Sequence, residues 1–276
     1  MAGKSHLHGS KDVWEEIFSG VDTEYSERAI IQNQLFDLVK LQRMEKIFSK
    51  IEGLNILEVG CGAANASLYF AKRGARVTAL DINEPVLAIA RRNFKKAKVK
   101  GKFVVGDAEK LPFNNNSFDV VMSHGLMEHF KHPKVSFGEQ MRVLKPGGIL
   151  FADIVPARLS VQTLGNYFNF VVTFLYWLVK WKPGEGWKKA RRNIRPLYYE
   201  NDYSAKHYKK MLEEKGLKKI SVRGNRPFPR LSLPGNLDRM YTRSLKLFLP
   251  WWRKFDNWDS SVARAWGAGW WFWGTK

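Results

Sequence analysis

The first half of the chain alternates short apolar runs with longer amphipathic segments. The run 54–59 lies between glycines, is too short for a helix and is rich in branched side chains, which is typical of a buried parallel strand. Similar runs occur at 75–80, 102–105, 118–123 and 149–154, and segments with helical spacing separate them. Strands that alternate with helices in this way predict an α/β domain with a parallel sheet.

A glycine-rich turn follows the first predicted strand. Gly60 and Gly62 have no Cβ, so the backbone can adopt left-handed angles and approach a ligand closely. The next strand leads into Asp81, about twenty residues further on, where a carboxylate can accept hydrogen bonds from ribose hydroxyls. This pattern predicts a nucleoside site at the carboxyl ends of the strands.

Three further segments make the prediction more specific. They are Gly-Asp-Ala at 106–108, Phe-Asp-Val-Val-Met at 118–122 and Arg-Val-Leu-Lys-Pro-Gly-Gly at 142–148. In this order and spacing they resemble the class I S-adenosylmethionine-dependent methyltransferases, in particular the type 11 group. The resemblance covers roughly 54–155, and Ala64 stands where the family often has a third glycine.

The resemblance implies a doubly wound, seven-stranded and mostly parallel sheet that ends in an antiparallel pair, 217–223 and 269–275. It also implies S-adenosyl-L-methionine as the cofactor. The cofactor-binding residues that we expect lie in the glycine loop and at the strand ends: Glu58, Gly60, Cys61, Gly62, Asp81, Ile82, Asp107, Ala108 and His124.

Four segments are expected along the chain. They are an N-terminal helical cover (1–52), the cofactor-binding core (53–156), an apolar and basic lid insertion (157–203), and a completion of the sheet with a second basic amphipathic insertion (204–276). Within the cover, helical spacing predicts helices at 12–18 and 24–51. After the lid, it predicts helices at 204–215 and, interrupted by Pro250, at 237–258.

Two histidines are the candidate catalytic residues. His124 follows the fourth strand, at the edge where open parallel sheets bind ligands. His129 belongs to a segment, 126–130, that matches the type 11 pattern. Either could act as a general base, and His129 could instead be a substrate contact or a structural hydrogen-bonding group. Tyr198 and His207 are candidate substrate contacts, because the segment 204–208 resembles the point where family members resume the common fold.

The net charge of +20 is concentrated in the second half. Up to Pro156 there are 22 Lys and Arg against 18 Asp and Glu, and from Ala157 onward there are 24 against 8. Ten of the 11 tryptophans also lie after Ala157. Basic and aromatic residues together suit anionic lipid headgroups and also RNA.

The segment 159–179 contains no charged residue. Its length would admit a membrane-spanning helix, but the chain must return to finish the same sheet, which argues against a crossing. On a helix its polar residues form one narrow stripe: Gln162, Asn166, Asn169, Thr173, Tyr176 and, just beyond it, Lys180. The broad apolar face could enter the boundary of a bilayer, close over the sheet or form a dimer. Pro183–Gly186 should break the helix, and a loop should follow through 196–199.

The leading hypothesis is a methyltransferase that acts at a membrane surface on a lipid or lipid-linked acceptor. The alternatives are a methyltransferase for a soluble sugar or aromatic metabolite and a non-catalytic RNA- or membrane-binding module. The fourth strand lacks the Asn/Asp-Pro-Pro-aromatic sequence of nucleobase methyltransferases, which disfavours nucleic acid. An NAD-dependent dehydrogenase is disfavoured by Asn65, where its fingerprint has a final glycine.

The single cysteine, Cys61, excludes an internal disulfide and a cysteine-based zinc site, and we expect no metal. The first twelve residues are polar and do not resemble a secretory signal. We therefore expect a cytoplasmic protein that is peripheral at the inner face of the membrane and that contacts an anionic surface. The acceptor atom and the oligomeric state are left open.

Overall fold

The computed structural model describes residues 14, 18, 25–194 and 198–276. Its strands are β1 (Asn55–Val59), β2 (Arg76–Asp81), β3 (Lys102–Val105), β4 (Phe118–His124), β5 (Leu144–Ile154), β6 (Lys218–Asn225) and β7 (Gly269–Thr275). They form one sheet in the order β3-β2-β1-β4-β5-β7-β6. The first five strands are parallel, and β7 runs antiparallel to both β5 and β6. The predicted doubly wound, mostly parallel sheet is confirmed.

One strand differs clearly from its predicted limits. β5 begins at Leu144 and not at Ile149. Leu144 already pairs with Phe118 of β4, and the register shifts before Ile149 pairs with Val120. The Lys-Pro-Gly-Gly sequence that predicted a turn is therefore an irregularity inside the strand.

The helices are α1 (Gln32–Phe48), α2 (Asn65–Ala71), α3 (Glu84–Ala97), α4 (Lys134–Val143), α5 (Val161–Val179), α6 (Pro183–Ile194), α7 (Ala205–Glu214), α8 (Gly235–Leu247), α9 (Leu249–Asn257) and α10 (Ser261–Trp266). α1 is shorter than the predicted helix 24–51, because Ala29 and Ser49, with φ of 49° and 61°, adopt left-handed backbone angles on either side of it. Of the predicted helix 12–18, only Trp14 and Phe18 belong to the described residues.

The loop predicted after 183–186 is wrong up to residue 194; residues 198 and 199 are non-helical as predicted, and 195–197 lie outside the described residues. Pro183 instead begins α6. Proline suits the first helical position, because the N–H that it lacks would have no partner within the helix there. α6 runs back along α5: Gly186 packs against Trp177, where an added Cβ would lie 2.7 Å from the Trp177 Cβ. Further along, the Asn193 amide donates to the Thr173 hydroxyl at 3.3 Å. We call α5 and α6 together the helical hairpin.

The core lies on both faces of the sheet. Alternate residues of β1 enter opposite clusters, Ile56 on one face and Leu57 and Val59 on the other, and all three are fully buried. This packing fixes the carboxyl ends of β1, β2 and β4 side by side. Val59, Asp81 and His124 therefore meet at one edge of the sheet.

The first part of the polar stripe of α5, from Gln162 to Asn169, faces the protein. The side-chain oxygen of Gln162 accepts from the backbone N–H of Arg230 at 2.9 Å, and the side-chain oxygen of Asn169 accepts from the backbone N–H of Ser232 at 2.7 Å. Between them, Gly165 lets the helix approach Pro229, where an added Cβ would lie 2.5 Å from the proline Cβ. The helix is thus docked by its polar side, and its apolar side does not close over the sheet.

Candidate active site

A cavity opens at the carboxyl ends of the strands. Its walls come from the glycine loop, the ends of β2, β3 and β4, and the two described residues of the N-terminal segment. The lining residues are Trp14, Phe18, Gly60, Gly62, Leu80, Asp81, Ile82, Val86, Gly106, Asp107, Ala108, His124, Gly125, Leu126, His129 and Phe130. The cavity thus lies where the sequence predicted a nucleoside site.

The glycine loop forms one wall of the cavity with left-handed backbone angles. Gly60 has a φ of 67°, and a Cβ there would lie 2.8 Å from the side chain of Leu126. Gly62 has a φ of 52°, and a Cβ there would meet the Phe18 ring at 2.5 Å. Ala64, which replaces the third glycine, also adopts a left-handed φ of 56°. The loop therefore keeps its geometry despite the alanine, at a cost of about 1–2 kcal/mol.

Asp81 links the loop to the next strand. One carboxylate oxygen accepts from the Gly62 N–H at 2.9 Å, and the other accepts from the Asn83 N–H at 3.0 Å. Burial raises the pKa of this carboxyl above its ordinary value, and the backbone N–H groups oppose that shift. Each oxygen keeps acceptor capacity toward the cavity. Asp81 can therefore hold the loop and accept ribose hydroxyls at the same time.

Glu58 and Cys61 lie behind the cavity wall. One oxygen of Glu58 accepts from both the N–H and the hydroxyl of Ser67, at 2.9 and 2.6 Å, in the first turn of α2. Burial raises the pKa of Glu58 to about 7. Cys61 is buried, and burial raises the pKa of its thiol well above its ordinary value. Neither side chain lines the cavity, so both shape the loop from behind.

Asp107 and Ala108 stand at another side of the cavity, beyond β3. One oxygen of Asp107 accepts from the Glu109 N–H at 2.8 Å, which holds the carboxylate in a tight turn. Ile82, directly after β2, supplies an apolar surface beside them. This arrangement offers an acceptor and a flat apolar wall, the two features that a purine ring with an amino group requires.

His124 lies at the end of β4 and lines the cavity. Within the described part of the chain, neither ring nitrogen has a hydrogen-bond partner. Burial, assisted by the positive charge of Lys40, lowers the pKa of His124 well below its ordinary value. The ring is therefore neutral near pH 7 and can both donate and accept a hydrogen bond toward a ligand.

His129 lies in a short 3₁₀ turn after β4 and is fixed by its neighbours. Its Nδ1 is 2.8 Å from the carbonyl oxygen of Tyr199. The rings of Trp14 and Tyr198 lie 4.7 and 5.1 Å from the His129 ring, and they stack on each other at 5.3 Å. Burial lowers the pKa of His129. The structure thus brings the candidates His129 and Tyr198 together at one end of the cavity.

His207 lies elsewhere. It is on α7, stacks on Tyr203 at 4.5 Å and lines a separate surface cleft with His132. Sequence reasoning also missed Trp14, Phe18 and Leu126 as cavity residues. Trp14 carried one usable signal, since it is the single tryptophan outside the second half of the chain.

Comparison with known proteins agrees with this geometry. Residues 57–152 match the family described as methyltransferase domain. The chain is 32% identical over 181 residues to the demethylmenaquinone methyltransferase of Lactococcus lactis, and the match covers 62% of this chain and 71% of the relative. This chain belongs to the class I S-adenosylmethionine-dependent methyltransferases.

Two further similarities bear on this methyltransferase. It is 38% identical over 112 residues to the phthiotriol/phenolphthiotriol dimycocerosates methyltransferase of Mycobacterium leprae, which covers 39% of this chain and 40% of that protein. Its fold is similar to that of a Thermotoga maritima methyltransferase described as a possible histamine N-methyltransferase. The TM-score is 0.55 at 17% identity, and the match covers 97% of this chain and 100% of the other.

S-adenosyl-L-methionine is the cofactor of this methyltransferase, and the described residues fit it. The glycines at 60, 62 and 106 line the cavity with backbone alone, which leaves space for a ligand to approach. Asp81 and Asp107 offer carboxylate oxygens at two sides of that space, and the unpaired ring of His124 faces it. No helix among the described residues has both the length and the apolar character needed to cross a membrane.

Proposed function

We propose that this methyltransferase transfers the methyl group to a lipid or lipid-linked acceptor while it is bound to an anionic membrane surface. The observation that carries the proposal is the uncovered apolar face of the helical hairpin. The family membership establishes the methyl transfer, and the hairpin supports the place where it occurs.

The apolar face of α5 points away from the protein that holds its polar stripe. Its large side chains are half or more exposed at several successive turns, and Trp181, just beyond the helix, is 92% exposed. The exposed large apolar residues of the hairpin and of the residue pair before it are Leu159, Leu164, Tyr167, Phe168, Val171, Leu175, Tyr176, Leu178, Val179, Trp181, Trp187 and Ile194. So large an apolar patch on a protein surface indicates a partner or a membrane.

Positive charges surround this apolar face. Lys180 lies 4.5 Å from the Tyr176 ring centroid, and Lys189 lies 3.9 Å from that of Trp177, so the aromatic rings hold both ammonium groups beside the patch. Lys182 and Lys188 are exposed on the same hairpin. A surface that is apolar at its centre and cationic at its rim is complementary to an anionic bilayer interface.

The names of several relatives point in the same direction. They act on demethylmenaquinone, on phthiotriol dimycocerosates and on fatty acids. These acceptors include a quinone and two lipids. A membrane-bound enzyme would meet acceptors of this kind in the bilayer, which supports the assignment of a lipid acceptor to this chain.

The chain's own contribution to the chemistry is alignment. S-adenosyl-L-methionine, when bound, supplies a methyl group on a positively charged sulfur and is therefore already activated. The glycine loop and Asp81 orient the nucleoside, and the apolar walls formed by Trp14, Phe18 and Leu126 exclude water. His124, neutral and unpaired, can orient the acceptor atom by a hydrogen bond.

Vesicle flotation tests the membrane part of the proposal. The wild-type protein should float with anionic vesicles, and a variant with Phe168→Ser, Leu175→Ser and Trp181→Ser should stay at the bottom of the gradient. These three side chains are 46%, 51% and 92% exposed, so their replacement does not disturb the core. The matched control is Val105→Ser with Val135→Ser, which changes two exposed apolar residues of the cofactor-binding segment 53–156.

A wild-type protein that does not float, or a triple variant that floats equally well, would contradict membrane binding. Size measurement without detergent then separates the remaining possibilities. A stable dimer that buries the hairpin would favour a soluble acceptor, such as a sugar or an aromatic metabolite.

A further inference from the structure

Two carboxyl groups, the buried Glu128 and the partly buried Glu200, lie at the His129 end of the cavity, where the Asn201 N–H next to Glu200 donates to the backbone carbonyl oxygen of Glu128 at 2.8 Å. Glu128 is 1% exposed, and only one of its oxygens is bound, accepting from the Val155 N–H at 3.0 Å. Its other oxygen has no hydrogen-bond partner in the described part of the chain. Glu200 follows Tyr199, whose carbonyl oxygen lies at His129. Burial raises the pKa of Glu128 to about 8, and burial together with the charge of Glu128 raises that of Glu200 to about 7.

No cation among the described residues pairs with either carboxyl group within salt-bridge distance. Lys40 is near enough to influence Glu128 but is itself paired with Asp153, at 3.3 Å, and with Asp37, at 3.7 Å. A charged His129 would lower the pKa of Glu200, but burial lowers the pKa of His129 itself and so favours its neutral form. Buried acidic groups without a cationic partner are costly, unless a ligand supplies the missing charge.

The Glu128 carboxyl group is close to the cavity. A Cβ added at Gly125, a cavity residue, would lie 3.7 Å from an oxygen of Glu128. Trp14 and His129 line the same end of the cavity, and Tyr198 packs against both. Faces of aromatic rings attract cations. The same place thus combines unpaired carboxyl groups with an aromatic surface.

We propose that this end of the cavity binds an ammonium group and that the acceptor atom of the methyl transfer is the nitrogen of an amine. The amine belongs to a lipid headgroup or to a free amine of the same chemistry. This inference rests on the methyl-transfer function and names the acceptor class for the same site.

The reaction balances without a further reactant. The ammonium group gives one proton to a carboxylate of the Glu128–Glu200 pair and becomes a neutral amine. The nitrogen lone pair then forms a bond to the methyl carbon as the carbon–sulfur bond breaks, and that bond's electron pair stays on sulfur. The product is a methylated ammonium group and a neutral thioether.

Calorimetric titration tests the cation site directly. Protein saturated with S-adenosylhomocysteine is titrated with tetramethylammonium and with tert-butanol, a neutral molecule of similar shape. Tetramethylammonium should bind at least tenfold more tightly than tert-butanol, and Glu200→Gln should remove that preference. Glu52→Gln changes an exposed glutamate just before the cofactor-binding segment and is the matched control. Equal binding of both probes, or an unchanged preference in Glu200→Gln, would overturn the proposal.

The same variant separates a second explanation, in which the carboxyl groups compensate the sulfonium charge of the donor. In that case Glu200→Gln would weaken binding of S-adenosylmethionine but not of S-adenosylhomocysteine, and tetramethylammonium binding would be unchanged. That result would also overturn the assignment of an amine acceptor.

Methyl transfer to defined vesicles identifies the source of the amine. With labelled donor, anionic vesicles that contain phosphatidylethanolamine should be labelled, and vesicles in which phosphatidylglycerol is the sole lipid should not. Labelling of soluble ethanolamine alone would keep the amine site and contradict the lipid acceptor. Labelling of phosphatidylglycerol alone would contradict the amine site and keep the membrane function.

Discussion

In the core, residues 53–156, the strand side chains Ile56, Leu57 and Val59 are fully buried and the carboxylates of Glu58 and Asp81 are held by hydrogen bonds. In the helical hairpin, large apolar side chains are exposed instead and lysines stand beside them. The apolar side chains of these core strands are covered by other residues of the chain, whereas the exposed side chains of the hairpin have no covering surface in the described part of the chain. The contrast supports our proposal that the first region binds the cofactor and that the second contacts a membrane surface.

The largest effect is expected from a change in the cofactor-binding core that leaves the hairpin unaltered. Gly60→Val should weaken donor binding about 100-fold, equivalent to about 2.7 kcal/mol, because the new side chain meets Leu126 and the backbone has a φ of 67°. Isothermal titration with S-adenosylmethionine measures the loss. Vesicle flotation should be unchanged.

Gly53→Val controls for backbone strain in that experiment. Gly53 has a φ of 80°, but no heavy atom lies within 4 Å of an added Cβ, and the residue does not line the cavity. Its donor affinity should stay near that of the wild type. An equal loss in both variants would show that backbone strain, and not the close packing of the glycine loop, governs donor binding.

The next largest effect is expected from removing positive charge from the hairpin while the cofactor-binding core is left unaltered. Lys182→Gln with Lys188→Gln should weaken binding to anionic vesicles about thirtyfold, since each lysine near the surface contributes about 1 kcal/mol. Sedimentation with vesicles measures it, and added salt should reduce the difference. Lys95→Gln with Lys100→Gln removes the same charge from exposed core positions and should bind like the wild type.

A smaller effect tests whether the membrane surface extends to a second patch. Trp251 of α9 is 51% exposed, and Phe248 beside it is 54% exposed. Trp251→Ser should weaken vesicle binding about fivefold, equivalent to about 1 kcal/mol of lost apolar burial. Unchanged binding in the same sedimentation assay would confine the membrane contact to the hairpin. Val135→Ser is the matched exposed apolar control.

A further effect, on stability and not on binding, concerns carboxyl groups with raised pKa values and pH. A carboxyl group whose pKa rises to about 7 on folding binds its proton more tightly in the folded state, so its contribution to stability falls as pH increases from about 4.3 to 7. Glu128 and Glu200 act in the same direction. In Glu58→Gln, which still accepts from Ser67, the free energy of unfolding should fall less between pH 5 and pH 7.5. Urea titrations at the two pH values measure the slopes, and equal slopes would contradict the shift.

The same contrast explains how much the sequence predicted. Glycines at 60 and 62 and the aspartate at 81 follow from local geometry, because a strand that turns toward a ligand needs left-handed backbone and a nearby acceptor. The limits of the strands, apart from the start of β5, follow from short apolar runs between polar turns. These features depend on residues close together in the chain.

The rest depends on residues far apart. The environment of His129 is made by Trp14 and Tyr198, and no local pattern brings these three rings together. α6 was missed because Pro183 and its glycines suggest a break, although proline is compatible with a first helical turn. The polar stripe of α5 was predicted, but only the structure shows that segment 230–232 binds it.

The most direct measurement is mass spectrometry of the lipid and aqueous fractions after anionic vesicles of cellular lipid extract are incubated with the protein and a donor labelled in its methyl group. The account predicts label in the lipid fraction for the wild type, with strong loss in the Phe168, Leu175 and Trp181 triple variant. Label confined to water-soluble products, or equal lipid labelling by the triple variant, would contradict methyl transfer at a membrane surface.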